Sequence, residues 1–198
     1  MVEITAAMVK ELRNQTGSGI MDCKDALKET EGDMQKALDF LRKKGLAKAQ
    51  KRAGRVTSQG VIQSYIHAGA QIGVLVEVNC ETDFVAKTDD LIGFVKDLAM
   101  HIAATDPMGI RQDDIPDEIK AREMEIYRGQ AREMGKPDKI IDKIAEGKLK
   151  KFLDESCLLN QKYVKNPEIT IQDYLNELVA KTGESIAINH FVRYQVGT

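Results

Sequence analysis

Gly60-Val61-Ile62-Gln63-Ser64-Tyr65-Ile66-His67-Ala68-Gly69-Ala70-Gln71-Ile72-Gly73-Val74-Leu75-Val76-Glu77-Val78 is the stretch where the hydrophobic period of this chain changes from 3.6 to 2. Two β-rich runs flank His67-Ala68-Gly69-Ala70 as two strands flank a hairpin turn. In the second run Ile72, Val74, Val76 and Val78 share one face. The segment 186–196 near the carboxyl end alternates in the same way and adds a third strand, a long-range partner for the hairpin.

Outward from the hairpin the pattern is helical on both sides. Upstream, Thr5 caps a helix carrying Met8, Val9 and Leu12, which Thr16-Gly17-Ser18-Gly19 breaks. A second helix runs from Ile20 or Met21 through Leu27, and Gly32-Asp33 starts a third bearing Met34, Ala37, Leu38 and Leu41. Downstream, Leu91, Phe94, Val95, Leu98 and Ile102 form one helical stripe that ends at Asp106-Pro107. Pro116 and Pro137 open two more helices, and Thr170 caps a last one that runs to Gly183. Strands segregated from helices, with no βαβ crossover, make the class α+β: an N-terminal three-helix module, then an α+β core with a small antiparallel sheet packed on helices.

The boundary between these parts follows from charge. Residues 1–58 carry a net charge of about +4 and the remainder about −6, although the whole chain of 198 residues stands at −2. Residues 42–55 hold seven cations and no acid. The expected domains are therefore 1–55, with the basic run as a linker, and 56–198. A solvated linker and a phosphate-binding strip are both open readings of that run.

The near-balanced charge argues against a globally basic nucleic-acid binder, and direct nucleic-acid binding is not expected. With 42% hydrophobic and 30% charged residues the chain can bury a core. No apolar run reaches the roughly 18 residues of a membrane helix, and the first residues lack an export pattern, so a cytoplasmic protein is expected. Three scattered cysteines, Cys23, Cys80 and Cys157, fit a reducing compartment and no Cys-x-x-Cys zinc site.

Catalytic motifs are not visible. The interval from Gly129 to Gly135-Lys136-Pro137 is one residue too long for a phosphate loop, and Pro137 stands where a magnesium-binding hydroxyl is needed. His67, His101 and His190 lack metal-ligand spacing. The expectation is no enzyme, no catalytic residue, no cofactor and no metal. A cysteine nucleophile assembled in space and an RNA-binding basic linker are the competing readings.

One segment remains odd. In Val78-Asn79-Cys80-Glu81-Thr82-Asp83-Phe84-Val85-Ala86 a strand runs into polar residues and presents Phe84 just before a helix. Composition alone favours a Phe84 plugged into the core, and an exposed anchor is the alternative.

That segment closely resembles the signature of the elongation factor Ts family, the bacterial exchange factors for elongation factor Tu. Leu12 through Lys24, Gly147 through Leu153 with Cys157-Leu158-Leu159, and Phe191 through Gly197 are similar to the same family in the same order. The resemblance implies a ubiquitin-associated-like three-helix domain before the core. It also implies that Asp83 and Phe84, with Thr82 and Val85, meet the nucleotide-binding domain of elongation factor Tu near its magnesium site. Ile20, Met21 and Lys24 become contacts from the helical module, with bundle core as the alternative for Ile20 and Met21. Longer members carry a second core subdomain and a protruding helical hairpin, for which 198 residues leave no room. Pairing of two chains is implied instead, with strands 61–78 and 186–196 as interface.

Overall fold

Two of the three helix starts in the first part of the chain are set by single side chains. Thr5 has extended backbone and its hydroxyl accepts the Met8 amide at 3.3 Å, opening α1 (Ala6–Thr16). Gly17, at φ 65°, closes that helix and α2 (Ile20–Glu29) follows. The Asp33 carboxylate accepts the Lys36 amide at 3.0 Å, opening α3 (Met34–Arg52). Leu12, Cys23, Ala26, Leu27, Ala37 and Leu41 form the buried core of this three-helix bundle. The computed structural model describes residues 3–52 and 54–197, and the side chains of residues 46 and 48–51 lie outside that description.

The basic run departs from its expected form. Residues 42–52 are the second half of α3, because Lys, Ala, Gln, Arg and Leu are good helix formers whether or not they bury a face. Arg42 pairs with Asp173 at 3.4 Å and Lys44 with Asp22 at 2.9 Å, so at least part of the run is engaged with its own chain. Ala53 and the side chains of Lys48 and Lys51, which belong to the same run, fall outside the described residues.

Beyond it come β1 (Gln59–Ile66) and β2 (Ile72–Cys80), joined by a turn in which Ala70 N–H donates to His67 O at 2.9 Å. Then follow a single turn α4 (Asp83–Ala86), α5 (Asp89–Thr105), α6 (Asp117–Glu133) and α7 (Asp138–Ser156). The chain ends with β3 (Lys162–Tyr163), β4 (Asn166–Thr170), α8 (Ile171–Thr182) and β5 (Ile186–Gln195). The order in the three-stranded sheet is β1-β2-β5, and β3 and β4 form a separate antiparallel pair that no sequence signal announced. The fold is α+β.

Two compact units divide the chain. The first comprises Met1–Ile62, Glu77–Val95 and Asp173–Asn189. It holds the three-helix bundle, the end of β2, α4, the start of α5 and most of α8. Phe94 is 1% exposed here, edge-on to the Tyr174 ring at 4.8 Å. The second unit comprises Gln63–Val76, Lys96–Gln172 and His190–Thr198. Within it the Arg193 guanidinium closes the carboxyl end of α5, donating to Ala103 O from two nitrogens at 3.3 Å and pairing with Asp106. His101 is fully buried in the same unit, against Gln161 at 2.9 Å.

The second unit also corrects the expectation about length. Helices α6 and α7 pack on each other as a helical hairpin about a turn at Met134–Pro137, with Ala131, Ile141 and Ala145 buried and Arg128 paired to Asp142 at 2.8 Å. A chain of 198 residues does have room for such a hairpin. Pro116 and Pro137 mark the helix starts, and the short link between the two helices sets their antiparallel pairing. Among the described residues no helix is long and apolar enough to cross a membrane.

Candidate functional site

The segment after β2 is built by a short series of hydrogen bonds. Cys80, the buried last residue of the strand, donates its thiol to Thr82 O at 3.1 Å. Thr82 has extended backbone, and its hydroxyl oxygen accepts the Val85 amide at 3.4 Å, so it caps the single turn of α4. Thr88 Oγ1 donates to Val85 O at 2.8 Å and accepts the Leu91 amide at 3.3 Å, which hands the chain to α5. Gly60, on β1, permits the strand to pass tightly here: a Cβ would fall 2.3 Å from Val78 O.

Within this turn the side chains divide by direction. Val85 and Ala86 point inward at 9% and 8% exposure, whereas Phe84 stands out at 80%. One turn of helix cannot place three successive residues on one face, so burying Val85 and Ala86 projects Phe84 outward. The structure therefore decides against the core plug. Isolated exposed apolar residues are common and mean little by themselves. This ring differs in that the backbone beneath it is fastened at both ends, so its position is defined while it forgoes the roughly 1.5–3 kcal/mol that burial of a Phe supplies.

Asp83, beside the ring, is exposed and pairs with Lys87 at 2.7 Å. The Lys87 ammonium bonded to it holds the Asp83 carboxyl below the usual carboxylate range, so it is an anion at neutral pH. Thr82 is committed to the chain itself: its amide donates to Glu184 Oε2 at 3.0 Å and its hydroxyl to Glu184 Oε1 at 2.6 Å. Glu81 accepts the Ser185 amide at 2.6 Å and pairs with Arg55 at 3.4 Å. The Ser185 N–H, with Arg55, keeps the Glu81 carboxyl below its ordinary value. Glu81, Glu184, Ser185 and Arg55 were not singled out from the sequence. Glu81 and Arg55 lie in stretches already notable in the sequence, but nothing local ties Glu184 and Ser185 to the turn, since the bonds from Thr82 to Glu184 span 102 residues.

The second group sits on α2 of the same unit. Ile20 and Met21 are 57% and 66% exposed, not part of the bundle core, while Cys23 between them and Ala26 is buried. Ile20 and Lys24 line one side of an open groove of about 400 Å³ whose other side is Ile4, ahead of α1, and Val9, Lys10 and Arg13 of α1. Met21 is not part of that groove's lining.

The chemistry of the turn is that of contact. Burial pushes the Cys80 thiol up, which keeps it protonated and poorly suited as a nucleophile. Burial also raises Cys157, and all three cysteines are buried and free. Among the described residues there is no group of three or more His, Cys, Asp or Glu arranged to hold a metal ion. What the turn presents outward is an aromatic ring with a carboxylate next to it.

Comparison with known proteins gives the chain's family. The family model described as Elongation factor TS matches residues 5–198. A protein of Desulfosudis oleivorans named Elongation factor Ts is 60% identical over 197 residues, covering 100% of both chains. The Elongation factor Ts of Syntrophobacter fumaroxidans is 59% identical over 197 residues, covering 100% of this chain and 98% of that one. That of Geobacter metallireducens is 58% identical over 196 residues, covering 99% of this chain and 91% of that one. With a family match over nearly its whole length and relatives far above the level at which identity and fold part company, the chain belongs to the elongation factor Ts family.

Proposed function

We propose that this protein is a guanine nucleotide exchange factor in translation elongation. It binds elongation factor Tu carrying GDP, disturbs the magnesium and phosphate site, and promotes GDP release so that GTP can enter. The observation that carries this reading is Phe84, 80% exposed on a fastened turn. A bound nucleotide depends on a phosphate cradle and on magnesium held by a few oxygens, so a small displacement there forfeits much affinity. Exchange is coupling: a factor that favours the empty partner weakens nucleotide by the same ratio. It needs no acid, base, cofactor or metal of its own, and the protein is not an enzyme in this reading.

In this proposal Phe84 is the apolar wedge and Asp83 the polar contact. Thr82 and Val85, expected from the resemblance as contacts too, instead hold the turn on which they stand, Thr82 being bonded to Glu184 and Val85 buried. Ile20, Met21 and Lys24 form a second contact from the helical module. The module, residues 1–55, is proposed as a separable domain ahead of 56–198. Its own buried cluster from Leu12 to Leu41 supports that division. A variant lacking residues 1–54 is expected to remain folded by circular dichroism and to exchange more weakly. The protein is proposed to act in the cytoplasm, without direct nucleic-acid binding, as a homodimer. Exposed Ile66, Leu75 and Tyr194 on the strands of the second unit support pairing there.

The test is direct. Elongation factor Tu loaded with a fluorescent GDP is mixed with the protein in excess unlabelled GDP. The proposal requires accelerated loss of fluorescence, and release at the intrinsic rate sinks it.

A further inference from the structure

We infer that Glu184 is a positioning residue for Phe84, acting from the carboxyl end of α8 as one arm of a bracket around the turn. The inference rests on the exchange reading above and names what keeps the wedge in place.

Gly183 makes the bracket possible. At φ 76° it occupies the left-handed region that ends α8, with its amide on Val179 O at 3.0 Å, and it reverses the chain so that residues 184 and 185 face back. Both oxygens of Glu184 are then used on a single residue, the amide and the hydroxyl of Thr82. Ser185 answers by donating its amide to Glu81. Two successive residues thus grip two successive residues on the entry side of α4. One turn earlier on α8, Lys181 reaches the exit side, pairing with Asp90 in the first turn of α5 at 2.6 Å. The short helix bearing Phe84 lies between these attachments.

The core does not require this arrangement. Thr82 already caps α4 through Val85, and Phe84 adds almost nothing to the interior. What the carboxylate supplies is orientation: with both its oxygens on Thr82, the residue that opens the turn is fixed, and with it the backbone that carries the ring two positions on. A wedge held in one orientation loses little freedom on docking, whereas a loose one must be ordered by the partner.

The experiment is a double-variant cycle on stimulated release of fluorescent GDP from elongation factor Tu, with thermal midpoints measured alongside. Phe84→Ala is expected to slow release about tenfold or more. Glu184→Ala is expected to slow it at least fivefold, and Glu184→Gln, which keeps the shape and one acceptor oxygen, by an intermediate factor. The double variant Glu184→Ala/Phe84→Ala is expected to be no slower than Phe84→Ala alone within twofold, because both act through one ring. A multiplicative loss in the double variant overturns the inference, as does a near wild-type rate for Glu184→Ala while Phe84→Ala is impaired. Should Glu184→Ala fail to fold, the same cycle with Glu184→Gln decides by the same criterion. A near wild-type rate for Phe84→Ala rejects the exchange reading itself, and this inference with it.

Discussion

Phe84 and Phe94 belong to neighbouring helices of one compact unit and meet opposite fates: one is 80% exposed, the other 1%. Phe94 lies in α5 on a stripe with Leu91, Val95 and Leu98, all buried, and its ring meets Tyr174. Phe84 lies in a helix of one turn, too short to carry a stripe, where Val85 and Ala86 fill the inward positions. The same side chain is core in one place and exposed surface in the other, and periodicity separates the two. Hydrogen bonding separates them as well: α5 is secured by packing, whereas the entry to α4 is secured by the far end of the sequence, Thr82 donating to the Glu184 carboxylate and Glu81 accepting the Ser185 amide.

The contrast is sharpest if the two rings are removed in turn. Phe94→Ala is expected to destabilise the fold by about 3–5 kcal/mol, the range for deleting a buried aromatic. Urea unfolding measures it, and a loss below about 1 kcal/mol breaks the assignment of Phe94 to the core. Asp83→Asn, beside the exposed ring, is expected to reduce stimulated GDP release severalfold with an unchanged thermal midpoint. A drop in midpoint without a change in release assigns Asp83 to folding instead.

Buried polar groups extend the comparison to the second unit. The Gln161 amide nitrogen donates to Glu155 O at 2.8 Å, so its carbonyl faces His101 Nε2 and Thr105 Oγ1. His101 is thereby set as the Nε2–H tautomer, with buried Nδ1 bare of any partner among the described residues. Burial lowers its pKa below the usual imidazole value near 6.5. Protonation therefore favours the unfolded chain: this contribution is complete above about pH 6.5 and is lost as the pH falls through the lowered value. The thermal midpoint of the wild type is expected to fall between pH 7 and pH 5, and that of His101→Gln to fall less. Parallel curves for the two proteins remove His101 from the account.

The smallest effect concerns the helical hairpin. Gly147 is inside α7 with open space where a Cβ would be. Gly147→Ala is expected to raise stability by about 0.5–1 kcal/mol, since a helix interior favours Ala by that amount. Destabilisation points to a packing role for the bare backbone.

Much of this fold is legible in the sequence, because the hairpin, the α5 stripe and the caps at Thr5 and Asp33 are local signals. Less legible are a helix without an apolar face, where propensity alone continues the element, and contacts whose cause lies elsewhere in the chain. Residues 42–52 look like a linker because they lack an apolar face, yet they continue α3 on helix propensity, with Arg42 paired to Asp173. The site was half visible: Asp83 and Phe84 stand out where a strand meets polar residues, but the exposure of Phe84 depends on Val85 and Ala86 being taken inward. Glu184 and Ser185 follow an ordinary helix-ending glycine, and only folding brings them to Glu81 and Thr82.

The central claim is that an exposed, fastened aromatic displaces nucleotide from another protein. Stopped-flow release of fluorescent GDP from elongation factor Tu, with wild type and Phe84→Ala compared at matched thermal midpoints, tests it most directly. The account predicts a loss of about tenfold or more, corresponding to roughly 1.4 kcal/mol or above. Equal rates from two equally folded proteins contradict it.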